Sequence, residues 1–376
     1  MDLSITRKKI DEIDEQLVHL YEQRMELTKE VAEYKIATGK PVYDKEREDE
    51  KIKTLTAMTE DDFNKRGIRD LFTEIMSISR KYQYQKVQPS DALPEFLQME
   101  SIDLDGKTVV CFGEHGSYTE QAMEEYFGQV PNSFNELTFR GVMDAVEKGE
   151  ADYGVLPIEN SSTGSITDVY DLLNDYDICI IGEHVVKVEQ ALLGTEDASL
   201  SDLSRVYSHP QGLLQCQRFL ENNPKIKGIT YDSTSASARK VFEENDVTQG
   251  AIASRRAAGL YGLKVLKCPI NDNQTNATRF IIIAKKKIYL SHANKVIVCF
   301  ELPHESGTLH SMLSHVIFSG LNMTKIASRP LADRPWEYRF IVEFEGNLNE
   351  EVVMHAIRGM KAESTHFKMM GNFYTR

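Results

Sequence analysis

The sequence predicts a multidomain chain: an all-α segment at the N-terminus, an α/β segment in the middle and a small α+β segment at the C-terminus. Three observations predict it. From Ser4 to about Thr38 there is neither Pro nor Gly, and apolar residues recur at alternating spacings of three and four. From Thr108 onward, short apolar runs alternate with helical patterns. After Lys285-Lys286-Lys287 the order becomes strand, helix, strand, strand, helix, strand. The length of 376 residues agrees, since roughly 150 residues per domain gives about 2.5 domains.

In the first segment, Ile10, Ile13, Leu17, Leu20, Arg24, Leu27, Val31 and Tyr34 form an a/d seam. A helix of about 35 residues is roughly 50 Å long, too long for a small domain to cover, so the seam is expected to pack against a helix of a second chain. Arg24 is the misfit in that seam. A charge there either fixes register or lines a cavity for an anion. Lys35 shares its face three turns on, whereas Arg7 lies about 25 Å away and can reach the same ligand only from an antiparallel partner helix. Gly39-Lys40-Pro41 ends the helix. Asp44 then opens a second one as an N-cap or a ligand group, with Arg47 and Glu48 on its face. A third helix, expected from about Asn64 to Gln85, carries Ile68, Phe72 and Ile75 on a stripe that continues through Ser79 and Gln83. So many polar groups aimed into one small helical core need a polar ligand to satisfy them.

Taken in order and spacing, Arg7, Arg24, Lys35, Asp44, Arg47, Glu48, Ser79 and Gln83 resemble the all-α chorismate mutase family over residues 1–88. The resemblance implies rearrangement of chorismate to prephenate without covalent or metal chemistry. It implies that Arg7 of the partner chain, Arg24 and Arg47 clamp two carboxylates. Lys35 and Gln83 would donate to the ether oxygen, Glu48 and the backbone near Asp44 would hold the ring hydroxyl, and Ser79 would orient a carboxylate.

Residues from about Val87 to Gly106 lose helical periodicity and read as a linker. Beyond them, strands are expected at Thr108–Phe112 and Tyr153–Ile158, with helices near Thr119–Phe127 and Val142–Lys148. In such sheets ligands gather at loops after strand ends, often where helices begin. Three loops fit: one around Glu159, Asn160 and Ser161, one at Ser208-His209-Pro210-Gln211, and one around Ser233, Thr234 and Ser235. Each is by itself also an ordinary polar turn or helix cap. Together they describe a cleft lined with hydroxyls and amide N–H groups. A fourth element, Thr278-Arg279-Phe280, leads into a buried strand.

With those loops before it, Thr278-Arg279-Phe280 resembles the signature of the prephenate dehydratase family over about residues 107–286. The resemblance implies two α/β lobes, like a periplasmic binding protein, with the site between them. The implied reaction is loss of carbon dioxide and hydroxide from prephenate to give phenylpyruvate. Thr278 would act at the leaving hydroxyl, with Glu159 or His209 supplying the proton through it. Arg279 would bind a carboxylate and Phe280 would shape the ring pocket.

The βαββαβ order over 295–376 is the ferredoxin-like arrangement, and Gly307-Thr308-Leu309 with Ala327-Ser328-Arg329-Pro330 resembles the amino-acid-sensing ACT domain. The effector residues so implied are Gly307, Thr308, Leu309, Ser328, Arg329 and Pro330, with phenylalanine as ligand. Thr308 and Ala327 depart from the usual Gly-Ala-Leu and Glu-Ser-Arg-Pro stretches. The whole chain resembles the bifunctional chorismate mutase/prephenate dehydratase family. The contrasting reading is a non-catalytic amino-acid sensor with a helical dimeriser, which would need neither the polar seam nor Thr278.

Composition limits the partners. Lys and Arg number 44 against 58 Asp and Glu, a formal charge of −14, which argues against nucleic acid but not against a local cationic site for a small anion. No stretch has the form of a signal peptide or approaches the ~20 apolar residues of a membrane span, so a cytoplasmic protein with no membrane partner is expected. Cys111, Cys179, Cys216, Cys268 and Cys299 are too scattered for a disulfide framework or zinc site and are expected to be buried thiols. His304, His310 and His315 form no metal-binding set, and neither a metal nor a cofactor is expected. The expected assembly is a homodimer or higher homo-oligomer.

Overall fold

An uninterrupted run of helix formers makes α1 span Leu3–Thr38, and Gly39, with a φ of +67°, ends it. Asp44 caps α2 (Lys45–Thr56), its carboxylate accepting from the Arg47 N–H at 3.2 Å. Helix α3 covers Asp62–Lys86. The computed structural model describes residues 3–86, 96–130, 132–331 and 334–375. The expected linker therefore lies outside the described residues over 87–95. Its remainder is not a free linker: Leu97–Met99 forms a strand paired in parallel with Ile288–Leu290, and Phe96, Met99, Ile102 and Leu104 pack on the α/β core. Four packed apolar side chains within nine residues outweigh the lack of periodicity.

The described residues group into two compact units, one from the 3–86 and 298–368 stretches, the other from 96–297 and 369–375. In the first, α3 explains why the helical and C-terminal segments cohere. It buries a second face, with Ser77, Lys81 and Tyr84 all under one-tenth exposed. The Tyr84 ring meets His315 edge-on at 5.9 Å, Arg358 Nη1 donates to the Tyr84 carbonyl at 3.2 Å, and Lys81 Nζ stands 5.1 Å from the Phe318 ring centroid. The C-terminal elements run Lys295–Glu301, helix Thr308–Phe318, Met323–Pro330, Tyr338–Glu345, helix Glu351–Glu363 and His366–Phe373. Their strands lie side by side in the order Met323–Pro330, Tyr338–Glu345, Lys295–Glu301, His366–Phe373.

Besides the pair formed by Leu97–Met99 and Ile288–Leu290, the described residues of the second unit hold two larger sheets. One has the order Cys179–Lys187, Ala277–Ala284, Tyr153–Asn160, Thr108–Phe112, Asn132–Glu136. The other runs Lys264–Lys267, Ala191–Gly194, Gln249–Ala253, Arg205–Ser208, Lys227–Thr230. The chain crosses between them twice, and the two crossings run together: Val188 N donates to Asn276 O at 2.8 Å and Ile270 N to Gln190 O at 2.9 Å. The strand Ala277–Ala284 therefore starts at the boundary between lobes and continues as Ile281-Ile282-Ile283-Ala284 into a sheet buried on both faces. Four of the five cysteines are buried, but Cys268 is partly exposed beneath Arg255, whose Nε lies 3.1 Å from its sulfur. No helix among the described residues is long and apolar enough to cross a membrane.

Candidate active sites

The three N-terminal helices line a half-open cavity of about 380 Å³. Arg24, Lys35, Asp44, Arg47, Glu48, Ser79 and Gln83 all line it, seven of the eight residues expected there. The spacing explains the convergence: Arg24 and Lys35 share the inner face of α1, Asp44, Arg47 and Glu48 occupy the first turn of α2 and its cap, and Ser79 and Gln83 lie one turn apart on α3. Arg24 donates to the Ser79 hydroxyl, Lys35 Nζ to the Val42 carbonyl, and Gln83 Nε2 to the Ser79 carbonyl at 3.1 Å. Burial lowers the pKa of Arg24 and of Lys35 and raises that of Glu48. A cluster of cations kept short of water favours an anion that restores their lost solvation. Arg7 does not line the cavity. It lies near the other end of α1, in a stretch where Ile10, Ile13 and Leu17 are each more than half exposed.

At the lobe boundary of the second unit, Asn160 and Thr278 are cross-strand partners. Asn160 Nδ2 donates to Thr278 Oγ1 at 2.9 Å and to Asn276 Oδ1 at 2.9 Å. Asn276 Oδ1 also receives the Ser162 hydroxyl at 3.1 Å, while Ser161 Oγ accepts from Ala277 N at 3.0 Å. Because Asn160 donates to Thr278, the hydroxyl proton of Thr278 stays available to an acceptor.

The strand's pleat sends alternate side chains to opposite faces. Arg279 and Glu159 are therefore not beside Thr278 but across the sheet from it. Arg279 Nη1 donates to Glu159 Oε2 at 2.6 Å, and its Nη2 and Nε donate to Glu183 Oε2 at 2.5 and 3.2 Å. Lys295 Nζ stands 3.4 Å from the other Glu183 oxygen. Burial pushes the Glu183 carboxyl up, but Arg279 and Lys295 outweigh it and hold it below the usual range. The guanidinium expected to take a substrate carboxylate is thus held by two protein carboxylates. Phe280, 2% exposed, packs with Val109, Cys111 and Ile282 in the core rather than against a pocket.

The remaining loops form a second group. His209 caps Pro210–Gln215, its Nδ1 accepting from Gln211 N at 3.2 Å. Ser233 caps Thr234–Glu244, accepting from Ala236 N at 2.9 Å. They meet through Gly212, where an added Cβ would collide with Ser208 Oγ and lie 3.4 Å from Thr234. Ser235 donates to the His115 carbonyl and so ties this lobe to the loop after Thr108–Phe112. That loop escaped sequence reasoning, as did the buried Glu120, which accepts from Gly116 N at 2.6 Å and faces Arg256 at 3.2 Å. Gly113 and Gly116, both at positive φ, are the signal that marks it.

In the C-terminal segment Gly307, Thr308 and Leu309 line a second cavity of about 380 Å³ together with His304, Glu305, Tyr338 and Phe340. Ser328, Arg329 and Pro330 are not among its walls, but they pair with Phe340, Arg339 and Tyr338. Thr308 spends its hydroxyl on the Pro303 and Glu305 carbonyls at 3.1 and 3.0 Å. Of the three histidines, His315 is buried, with Nε2 3.3 Å from Glu363.

The chorismate mutase type II family matches residues 6–84, and the prephenate dehydratase family matches residues 109–288. A bifunctional chorismate mutase/prephenate dehydratase of Aquifex aeolicus (strain VF5) is 32% identical over 377 aligned residues, covering 99% of this chain and 98% of that protein. The chain belongs to the bifunctional chorismate mutase/prephenate dehydratase family. Among solved structures, prephenate dehydratase from Arthrobacter aurescens, determined in complex with L-Phe, is 27% identical with a TM-score of 0.66, covering 71% of this chain and 90% of that one. A protein described as the quorum-quenching acylase GqqA is 26% identical with the same TM-score, covering 72% and 98%. The shared α/β fold thus serves proteins described by more than one activity, so the site must carry the chemistry. The bifunctional chorismate mutase/prephenate dehydratase is an enzyme of phenylalanine biosynthesis, an isomerase and a lyase in one chain.

Proposed function

We propose that the helical cavity rearranges chorismate to prephenate and that the lobe boundary around Thr278 converts prephenate to phenylpyruvate. The convergence of Arg24, Lys35, Asp44, Arg47, Glu48, Ser79 and Gln83 on one cavity carries this reading. Arg24 and Arg47 hold the two carboxylates, Ser79 orients one of them, and Lys35 with Gln83 meets the ether oxygen as its C–O bond breaks and the new C–C bond forms. The Gln83 amide must turn from the Ser79 carbonyl to do so. Arg7 joins from a second copy, and the unpartnered α1 seam supports a homodimer.

In the second reaction the electron pair of the bond to the departing carbon dioxide enters the ring as hydroxide leaves, protonated to water. Thr278, oriented by Asn160, donates to that hydroxyl. Its replacement proton comes from His209 rather than Glu159, because Glu159 is on the opposite face of the sheet and paired with Arg279. Asn160, Ser161 and the helix start at Ser233, Thr234 and Ser235 bind the acid's oxygens. Arg279 acts as the strut that keeps this strand pair in register, and Phe280 as its core anchor.

The segment 295–376 is an ACT-type regulatory domain, supported by its strand order and by the cavity at Gly307-Thr308-Leu309. Its ligand is phenylalanine, the amino acid bound in the Arthrobacter aurescens dehydratase, and binding there is inhibitory. The domain limits are 1–88, 107–286 and 295–376, the second extended by the strand pair of Leu97–Met99 and Ile288–Leu290 that packs with its core. Mixing the chain with chorismate tests the assignment: chorismate absorbance should fall and phenylpyruvate should accumulate, read in alkali. A chain that consumes neither chorismate nor prephenate would be the sensor instead.

A further inference from the structure

Arg80 follows Ser79 on α3, and its side chain is only 5% exposed. Its Nη1 donates to Glu48 Oε2, on the wall of the helical cavity. Its other edge is engaged by Glu363, at the end of the C-terminal helix Glu351–Glu363: Nε donates to Oε1 at 2.7 Å and Nη2 to Oε2 at 3.2 Å. The Tyr43 ring lies against the guanidinium, 4.8 Å from centroid to carbon. A guanidinium held bidentately on one edge and stacked on one face has little freedom left, so the direction of Nη1 is set by Glu363 and Tyr43.

Glu48 needs such a partner. Burial drives its carboxyl upward, and Arg80 is the cation that opposes this most strongly. Glu363 is equipped to hold Arg80: burial pushes its carboxyl up, but His315 and Arg80 outweigh that and keep it at about 2. We propose that Arg80 is a positioning residue for Glu48 in the chorismate rearrangement, and that Glu363 of the C-terminal segment holds Arg80 in place. The inference rests on the mutase reading of the cavity and extends it to two residues outside the expected substrate set. It also means that the helix Glu351–Glu363 sets the mutase site's geometry through one side chain.

The test is steady-state kinetics of the full chain with chorismate, and separately with supplied prephenate, for Arg80→Met, Glu363→Gln, Glu48→Gln and the double variant Arg80→Met/Glu48→Gln. Arg80→Met should lower mutase kcat about 10- to 100-fold, more than it changes KM, as misplacement of a contacting group does. Dehydration of supplied prephenate should be unchanged, which shows that the variant folds. Glu363→Gln, which leaves the guanidinium in place, should lower mutase kcat by a smaller factor. In the Glu48→Gln background, Arg80→Met should cost little more, because its effect passes through Glu48.

The pH profile separates positioning from packing. Glu48 faces Arg24 and Lys35 of α1, Tyr43, Arg80 and Tyr84 of α3, and Glu363. Removing Arg80 removes its nearest cation, so the acid limb of mutase kcat/KM should move to higher pH. Wild-type mutase kinetics in both Arg80→Met and Glu363→Gln, or fully additive losses in the double variant, would overturn the proposal. Failure of the unmodified chain to consume chorismate would instead remove the mutase reading itself.

Discussion

The Asn160 amide donates to the Thr278 hydroxyl at 2.9 Å across two paired strands whose residues are 118 apart in the chain. The bond leaves one use for the hydroxyl proton, donation to a third group, which is the property a leaving hydroxyl requires.

Thr278→Ala should abolish phenylpyruvate formation from prephenate while leaving chorismate consumption intact, and Asn160→Ala should slow it about 10- to 100-fold through lost orientation. Both reactions are followed on the same preparation. Loss of both activities together in Thr278→Ala would contradict two separate sites.

Arg279 has a structural consequence. Its two carboxylate partners include Glu183, whose side chain is 3% exposed. Arg279→Met leaves that carboxylate short of its main cation and should destabilise the chain by about 3–5 kcal/mol at neutral pH. Glu183 is depressed in the folded state, so its stabilisation is present above the unfolded carboxyl pKa and lost as pH falls through the folded value. Thermal melts from neutral to acid pH should therefore show less acid sensitivity in the variant than in the unmodified chain. A variant as stable as the parent would return Arg279 to the role of a substrate ligand.

Arg7 and Arg24 offer a test of assembly. Arg7→Ala and Arg24→Ala should each lose mutase activity, and mixing the two after dissociation should restore part of it, because a mixed dimer rebuilds one site from Arg24 of one chain and Arg7 of the other. No recovery, with dimers confirmed by sedimentation, would place Arg7 outside the site.

Gly307 adopts a φ of +87° at the start of the helix Thr308–Phe318. A β-branched residue is strained there, so Gly307→Val should abolish phenylalanine binding measured by calorimetry and relieve inhibition of phenylpyruvate formation. Inhibition that survives unchanged would move the effector site elsewhere.

Much of this was legible in sequence because local rules suffice for it. The seam of α1 predicts a helix ending at Thr38, and the structure ends it there. The charge at Arg24 and the polar stripe at Ser79 and Gln83 point to a ligand, and all three line one cavity. The strand Thr108–Phe112 and the order of the C-terminal elements follow from period and turn signals. The triplet Thr278-Arg279-Phe280 was readable as an element but not as a geometry. Contiguity suggests three residues on one site, whereas a pleated strand divides them between faces.

From the sequence came the three N-terminal helices, the first elements of the α/β segment and the order of the C-terminal elements, the residues able to bind an anion, and the family to which the pattern belongs. These depend on neighbours within a few residues, where periodicity and capping act. Tertiary structure decided which charges answer which. That Arg279 belongs to Glu159 and Glu183, and Arg80 to Glu48 and Glu363, depends on strands and helices meeting across 32 to 283 residues of chain. Such pairings are fixed by packing, because a buried charge takes whichever opposite charge the fold brings within hydrogen-bonding reach.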